Sequence, residues 1–170
     1  MSFAIRRYTE GDHTAVRDLF IRVNRELAPP ELRAAFDAYV ERSLREEIDR
    51  LADYYAAKQG AFFVAHDGDR LAGMFGLEGL GSAQAELRRM YVDAAFRKRG
   101  LAREMLTRAE SVCRGAGTPV LTLSTSELQQ AALAFYRNAG YRLVREETAA
   151  AQTNKTVGGD IRRYYFEKRL

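Results

Sequence analysis

Between Asp93 and Ala102 the chain gathers cations, a glycine and small residues into one turn. Asp93-Ala94-Ala95-Phe96 is followed by Arg97-Lys98-Arg99-Gly100-Leu101-Ala102, which opens an amphipathic helix. The first turn of a helix leaves backbone N–H groups without partners and carries about half a positive charge. Small residues at that point, framed by cations, suit the binding of phosphates. The implied ligand is nucleotide-like or CoA-like. A plain helix start with solvated charges is the competing reading, because short glycine motifs are weak signals alone.

Other residue types point nowhere as sharply. His13 and His66 stand apart from any carboxylate or cysteine cluster, so no metal site is expected. Cys113 falls on an apolar helix stripe and reads as a core residue rather than a nucleophile. Gly76-x-x-Gly79-x-Gly81 joins two strands with no helix after it, so it reads as a turn rather than a dinucleotide fingerprint. Tyr39, Tyr54 and Tyr55 suit either an acceptor pocket or packing of a helix on a sheet.

The elements that must position these residues follow from periodicity. Phe3 to Tyr8 alternates as a first strand. A helix starts near Asp12 or His13 and carries Val16, Leu19, Phe20, Val23 and Leu27 on one face. After Pro29-Pro30, Glu31 to about Lys58 reads as one long helix or two in series. Ala61 to His66 and Arg70 to Glu78 form a hairpin around Asp67-Gly68-Asp69. Gln84 to Val92 is the third strand of that meander. On it, strict alternation places Glu86, Arg88, Met90 and Val92 on one face and Leu87, Arg89 and Tyr91 on the other. The basic turn then leads to a helix ending near Gly115, a strand Thr118 to Ser124 and a short helix Leu128 to Asn138 closed by Gly140. A strand Tyr141 to Glu146, a mobile loop Thr148 to Asp160 and a last strand Arg162 to Leu170 complete the chain. The order is β-α-α-β-β-β-α-β-α-β-β, an α+β fold of three layers with helices on both faces of a mixed sheet.

Composition bounds the rest. The 170 residues fit one domain, and an apolar fraction of 46% supplies a core. A net charge of +4 is spread along the chain without a basic-aromatic patch, so no nucleic-acid partner is expected. One cysteine excludes a disulfide framework and points to a reducing, cytoplasmic setting. The first residues lack a signal-peptide core, and no run approaches membrane-span length, so a soluble protein without a membrane partner is expected.

At this point two blocks match a known pattern. Met90-Tyr91-Val92 followed by Arg97-x-x-Gly100-x-Ala102, then Ala132, Phe135, Tyr136, Gly140 and Tyr141, resembles the GNAT superfamily of acetyl-CoA-dependent N-acetyltransferases. The resemblance implies a mostly antiparallel seven-stranded sheet splayed between strands 4 and 5, as a single domain over residues 1–170. It implies that backbone N–H groups of Arg99, Gly100, Leu101 and Ala102 receive the pyrophosphate of acetyl-CoA, since a side chain at Gly100 would block close approach. Arg97 and Lys98 would add mobile cations, and Arg103 could also reach a phosphate. Met90, Tyr91 and Val92 would flank the pantetheine, with the Met90 or Tyr91 N–H polarising the thioester carbonyl. Gln129, or Gln130 if the register slips by one, stands where many relatives have Asn.

In the same resemblance Tyr136 is the general acid for the leaving thiolate, and Glu86, with Glu78 second, is the base for the acceptor ammonium. The expected activity is direct acetyl transfer in a ternary complex to a small primary amine such as an amino acid, polyamine or drug-like amine. A protein N-terminus or lysine is the alternative acceptor, and a non-catalytic acyl-CoA sensor is the alternative role. The N-terminal helices, which shape the acceptor site in this family, match nothing specific. Arg22, Arg25, Arg42 and Arg45 raise the thought of an acidic acceptor. The helical region 31–58 and the aromatic last strand offer a homodimer surface.

Overall fold

The computed structural model describes residues 3–170 and contains seven strands and five α-helices. In chain order these are β1 (Ala4–Arg7), α1 (His13–Leu27), α2 (Arg33–Glu46), α3 (Leu51–Ala57), β2 (Ala61–Asp67), β3 (Arg70–Glu78) and β4 (Gln84–Val92). They continue with α4 (Leu101–Gly115), β5 (Val120–Ser126), α5 (Gln130–Asn138), β6 (Arg142–Ala149) and β7 (Ile161–Arg169). The expected order holds, with the 31–58 region resolved into two helices. Pro30 opens a 3-10 turn ahead of α2, as its fixed φ and missing donor allow. The helix stops again at Glu47, where φ is −137° and the side chain is drawn fully into the interior.

The sheet runs β1-β2-β3-β4-β5-β7-β6, with every pair antiparallel except β4 and β5. That parallel pair is short: Gln84, Ala85 and Glu86 lie opposite Val120, Leu121 and Thr122. Beyond Glu86 and Thr122 the two strands separate, and the sheet is splayed there. No helix among the described residues is long and apolar enough to cross a membrane.

Alternation along the hairpin feeds two cores. Phe63, Ala65, Phe75 and Leu77 pack under α4 and α5 with Met105, Ala109, Cys113 and Leu133. Phe62, Val64 and Met74 face the other way, against Val16, Leu19 and Phe20 of α1 and Leu51 and Tyr55 of α3. Each large apolar side chain buried this way stabilises the fold by about 1.5–3 kcal/mol. Cys113 is fully buried, and that burial, with Glu110 nearby, pushes its thiol up to about 11. Gly76 is a packing notch: a Cβ there would lie 2.4 Å from the Tyr55 hydroxyl. Tyr54 and Tyr55 are therefore core residues, whereas Tyr39 also lines the cleft described below.

Two expectations change at the end of the chain. β6 extends to Ala149, and residues 150–160 are tied to the body of the protein by hydrogen bonds rather than hanging as a mobile loop. The cause is a set of buried arginines on β4 that need acceptors.

Candidate active site

The site is built where β4 leaves β5. At its far end Asp93 accepts from the Ala95 N–H and caps a 3-10 turn whose Phe96 is buried. Gly100 follows at φ +83°, with Lys98 also left-handed at +61°. Glycine is required at 100 by that backbone angle, since a Cβ there would meet no atom within 4 Å. A glycine has no side chain with which to cap α4, and the helix start has no side-chain cap. The helical ladder begins with the Glu104 N–H donating to the Gly100 carbonyl, so the N–H groups of Leu101, Ala102 and Arg103 come before it.

The cations around this turn divide. Arg97 is tethered, donating to Glu26 at 3.0 Å and to the Val92 carbonyl at 3.2 Å, so it is not the mobile cation expected. Arg99 pairs with Asp67 and stacks over Phe3 and Phe96. Lys98 and Arg103 are exposed and have no ion-pair partner among the described residues. They are the charges at this turn available to an incoming anion.

Between Arg88 and Tyr91 the ladder to β3 slips, so that Arg89 and Met90 lie opposite Phe75 alone. Arg89 takes a left-handed φ of +55°. This is a β-bulge, and it overturns the expected alternation. Leu87, Met90 and Val92 pack toward α4, while Arg88, Arg89 and Tyr91 face α1–α3. Glu86 and Met90 therefore lie on opposite faces, not the same one. The Asp93 N–H bonds the Ala72 carbonyl of β3 at 2.8 Å; alternation then turns Tyr91 toward β3 and leaves the N–H groups of Met90 and Val92 aimed at the gap. Of the two N–H groups considered, Met90 and Tyr91, that of Met90 is therefore the one on the open side of β4.

Across the gap, α5 presents Tyr136. Its ring packs against Phe135, Tyr141 and Phe166, and its hydroxyl donates to the Met90 Sδ at 3.7 Å. Burial, with Tyr91 a lesser influence, pushes the phenol well above its ordinary pKa. Gln129 stands at the start of α5 with its side-chain oxygen held by the Thr125 hydroxyl at 3.1 Å. Tyr136, Met90, Tyr91, Gln129 and Glu86 line one cleft of about 150 Å³. The residues from Arg97 to Arg103 lie outside it, at the α4 entrance.

A family model described as the Acetyltransferase (GNAT) family matches residues 25–141. The chain belongs to the GNAT family of acetyltransferases. Among curated relatives, N-acetyltransferase 8F1 of Rattus norvegicus is 28% identical over 61% of this chain and 49% of its own length. N-acetyltransferase 8 of Homo sapiens is 24% identical over 61% and 48%. The chain thus spans about half the length of these relatives. An acetyltransferase of the GNAT family from Staphylococcus aureus has the same fold, with a TM-score of 0.76 at 17% identity and 99% of each chain covered. So does yncA of Salmonella typhimurium, described as a structure with its cofactor acetyl-CoA, at a TM-score of 0.73 and 17% identity over 100% of this chain and 95% of that one.

The α1–α3 side of this cleft holds residues that the sequence reading passed over. Glu47 is fully buried and accepts from Arg88 at 2.9 Å, from Arg89 Nε and Nη2 at 3.1 and 3.0 Å, and from the Tyr55 hydroxyl at 2.8 Å. Burial alone would raise its carboxyl, but Arg89 and Arg88 outweigh that and hold it below the usual range. Arg88 also donates to Glu78 at 2.6 Å and to the Asn154 carbonyl, and Arg89 donates to the Tyr39 hydroxyl. Glu78 is therefore committed to Arg88. Glu86 is more accessible and is paired with Lys155. The sequence signal for this network was the pair Arg88-Arg89 between Leu87 and Met90 in the middle of a strand, since two buried guanidiniums require acidic partners.

His13 pairs with Asp49 at 3.0 Å, and His66 lies 3.7 Å from Asp12. Both belong to the α1 side of the fold and neither reaches the cleft.

Proposed function

We propose that the chain is an acetyl-CoA-dependent N-acetyltransferase acting on a small primary amine. The observation that carries this reading is one continuous arrangement: an uncapped helix start at α4, an open β4 edge at Met90 and Val92, and Tyr136 facing Glu86 across a single cleft. The α4 N–H groups with Lys98 and Arg103 would take the coenzyme phosphates. Pantetheine would lie in the gap between β4 and β5, beside Gln129, and the Met90 N–H would receive the developing oxyanion, a contact worth about 3 kcal/mol of barrier.

Glu86 would take the proton from the acceptor ammonium. Tyr136, kept protonated by burial, would donate to the departing sulfur. A binding module has no need of that acid and base in one cleft, which disfavours the sensor reading. The acceptor end is walled by Tyr39 and residues 155–157, which favours a small amine over a polypeptide. A soluble, cytoplasmic enzyme is in keeping with this reading.

The test is initial-velocity kinetics with thiol release as the readout, over a panel of amines. Intersecting double-reciprocal lines are expected for direct transfer. Parallel lines would mean a covalent acetyl-enzyme and would sink the proposal.

A further inference from the structure

The segment joining β6 and β7 is seated by its backbone. The Asn154 carbonyl accepts from Arg88 at 3.2 Å, the Asn154 amide donates to the Tyr54 hydroxyl at 3.2 Å, and the Gln152 carbonyl accepts from Arg42 at 2.9 Å. That anchoring delivers the next side chain, Lys155, into the cleft. Its ammonium lies 2.6 Å from Glu86 and 3.8 Å from Glu78, the two carboxylates considered as base. The side chain is about half exposed, so the amine moves on a fixed tether.

The residue type is telling. The chain has four lysines among its 27 basic residues, Lys58, Lys98, Lys155 and Lys168. Lys58 lies over the Tyr54 ring, Lys98 is at the α4 entrance, and Lys168 is engaged by Glu110 and the Ala139 carbonyl. An arginine on Glu86 would make the stronger, forked pair, yet a guanidinium cannot give up its proton. The cation on the proposed base is instead the one side chain that is itself a primary amine.

Resting on the acetyltransferase reading above, we propose that Lys155 is an acceptor in its own right and that the chain acetylates it in cis. Glu86 takes one proton from the ammonium, and the free amine attacks the thioester carbonyl of acetyl-CoA. The C–N bond forms and the C–S bond breaks as the tetrahedral adduct collapses. The thiolate takes the Tyr136 proton, and the second nitrogen proton restores that phenol. The products are Nε-acetyl-lysine and the free thiol of CoA, with one proton passed through Glu86 to solvent. Tethering replaces a bimolecular encounter, which is the main source of rate in such a step.

The experiment incubates the full chain with acetyl-CoA and no other amine, follows acetyl uptake by peptide mass mapping, and measures coenzyme binding by calorimetry on the same sample. One acetyl group on Lys155 is expected, with a rate constant unchanged when the chain is diluted. Glu86→Gln, or Tyr136→Phe should the first fold poorly, is expected to slow uptake roughly tenfold or more. Uptake spread over Lys58, Lys98 and Lys168 and indifferent to both substitutions would overturn the proposal, as would a rate that rises with chain concentration. Heat of coenzyme binding with Lys155 left unmodified overturns this inference alone. No binding at all overturns it together with the reading it rests on.

Discussion

Tyr136 is held by packing rather than by polar bonds. Three aromatic rings fix its position, and its hydroxyl has a thioether sulfur, a weak acceptor, as its partner. In the proposed reaction, a donor so placed would give up little when a thiolate took the place of that sulfur. Because its folded pKa is raised, the phenol keeps its proton throughout neutral and mildly alkaline conditions. Tyr136→Phe retains the ring and its contacts, so stability is expected to change by less than about 1 kcal/mol. Turnover is expected to fall by roughly a hundredfold while coenzyme affinity stays close to wild type. Unchanged turnover in a thiol-release assay would remove the residue from its role. The place of Tyr136 at the cleft was legible in the sequence because it sits inside a motif with fixed spacing. Glu86 was legible as a residue but not in its surroundings, since Lys155 reaches it from 69 positions away.

At the scale of elements, period-two reasoning placed β4 correctly and then misassigned its faces. The bulge at Arg89 inserts one residue, and every side chain after it changes sides. Nothing local announces it, because Arg89 is neither glycine nor asparagine and its left-handed φ is sustained by tertiary bonds to Glu47 and Tyr39. The same bonds account for the end of α2 at Glu47. Strand bulge and helix break are thus two sides of one buried ion cluster that joins elements 42 positions apart. Removing the shared carboxylate leaves buried guanidiniums short of an acceptor. Glu47→Gln is expected to cost about 3–5 kcal/mol, measured by urea unfolding. A loss below about 1 kcal/mol would show that Glu78 and the Asn154 carbonyl satisfy Arg88 and Arg89 without it.

On the scale of the whole molecule, the layer of α1–α3 is attached to the sheet by apolar packing and by ion pairs in which arginines from either layer answer carboxylates of the other. Arg6 of β1 pairs with Asp12 before α1, Arg22 of α1 pairs with Asp93 after β4, and Arg88 and Arg89 of β4 meet Glu47 after α2. Each of the three carboxyls is held below its ordinary range. For Asp12 the Arg6 hydrogen bonds lead; for Asp93 and Glu47 burial acts upward and is outweighed by arginines, and at Asp93 by a backbone N–H as well. A carboxyl depressed in the folded state binds protons more readily when unfolded. It therefore contributes stability that is complete above the unfolded value near 4 and is lost as pH falls through the lower folded value. Stability should accordingly stay nearly flat between about pH 5 and 8 as far as these three carboxyls decide it, and fall steeply below about 4. Among them, the buried Glu47 should contribute most of the slope, since the arginine partners of Asp12 and Asp93 are half exposed, and solvent weakens their pairs. Glu47→Gln should lower the plateau and flatten the acid limb together. Unfolding free energies measured from pH 6 down to about 2.5 on both chains decide the matter: parallel acid limbs would mean that the buried pair does not hold the helical layer to the sheet.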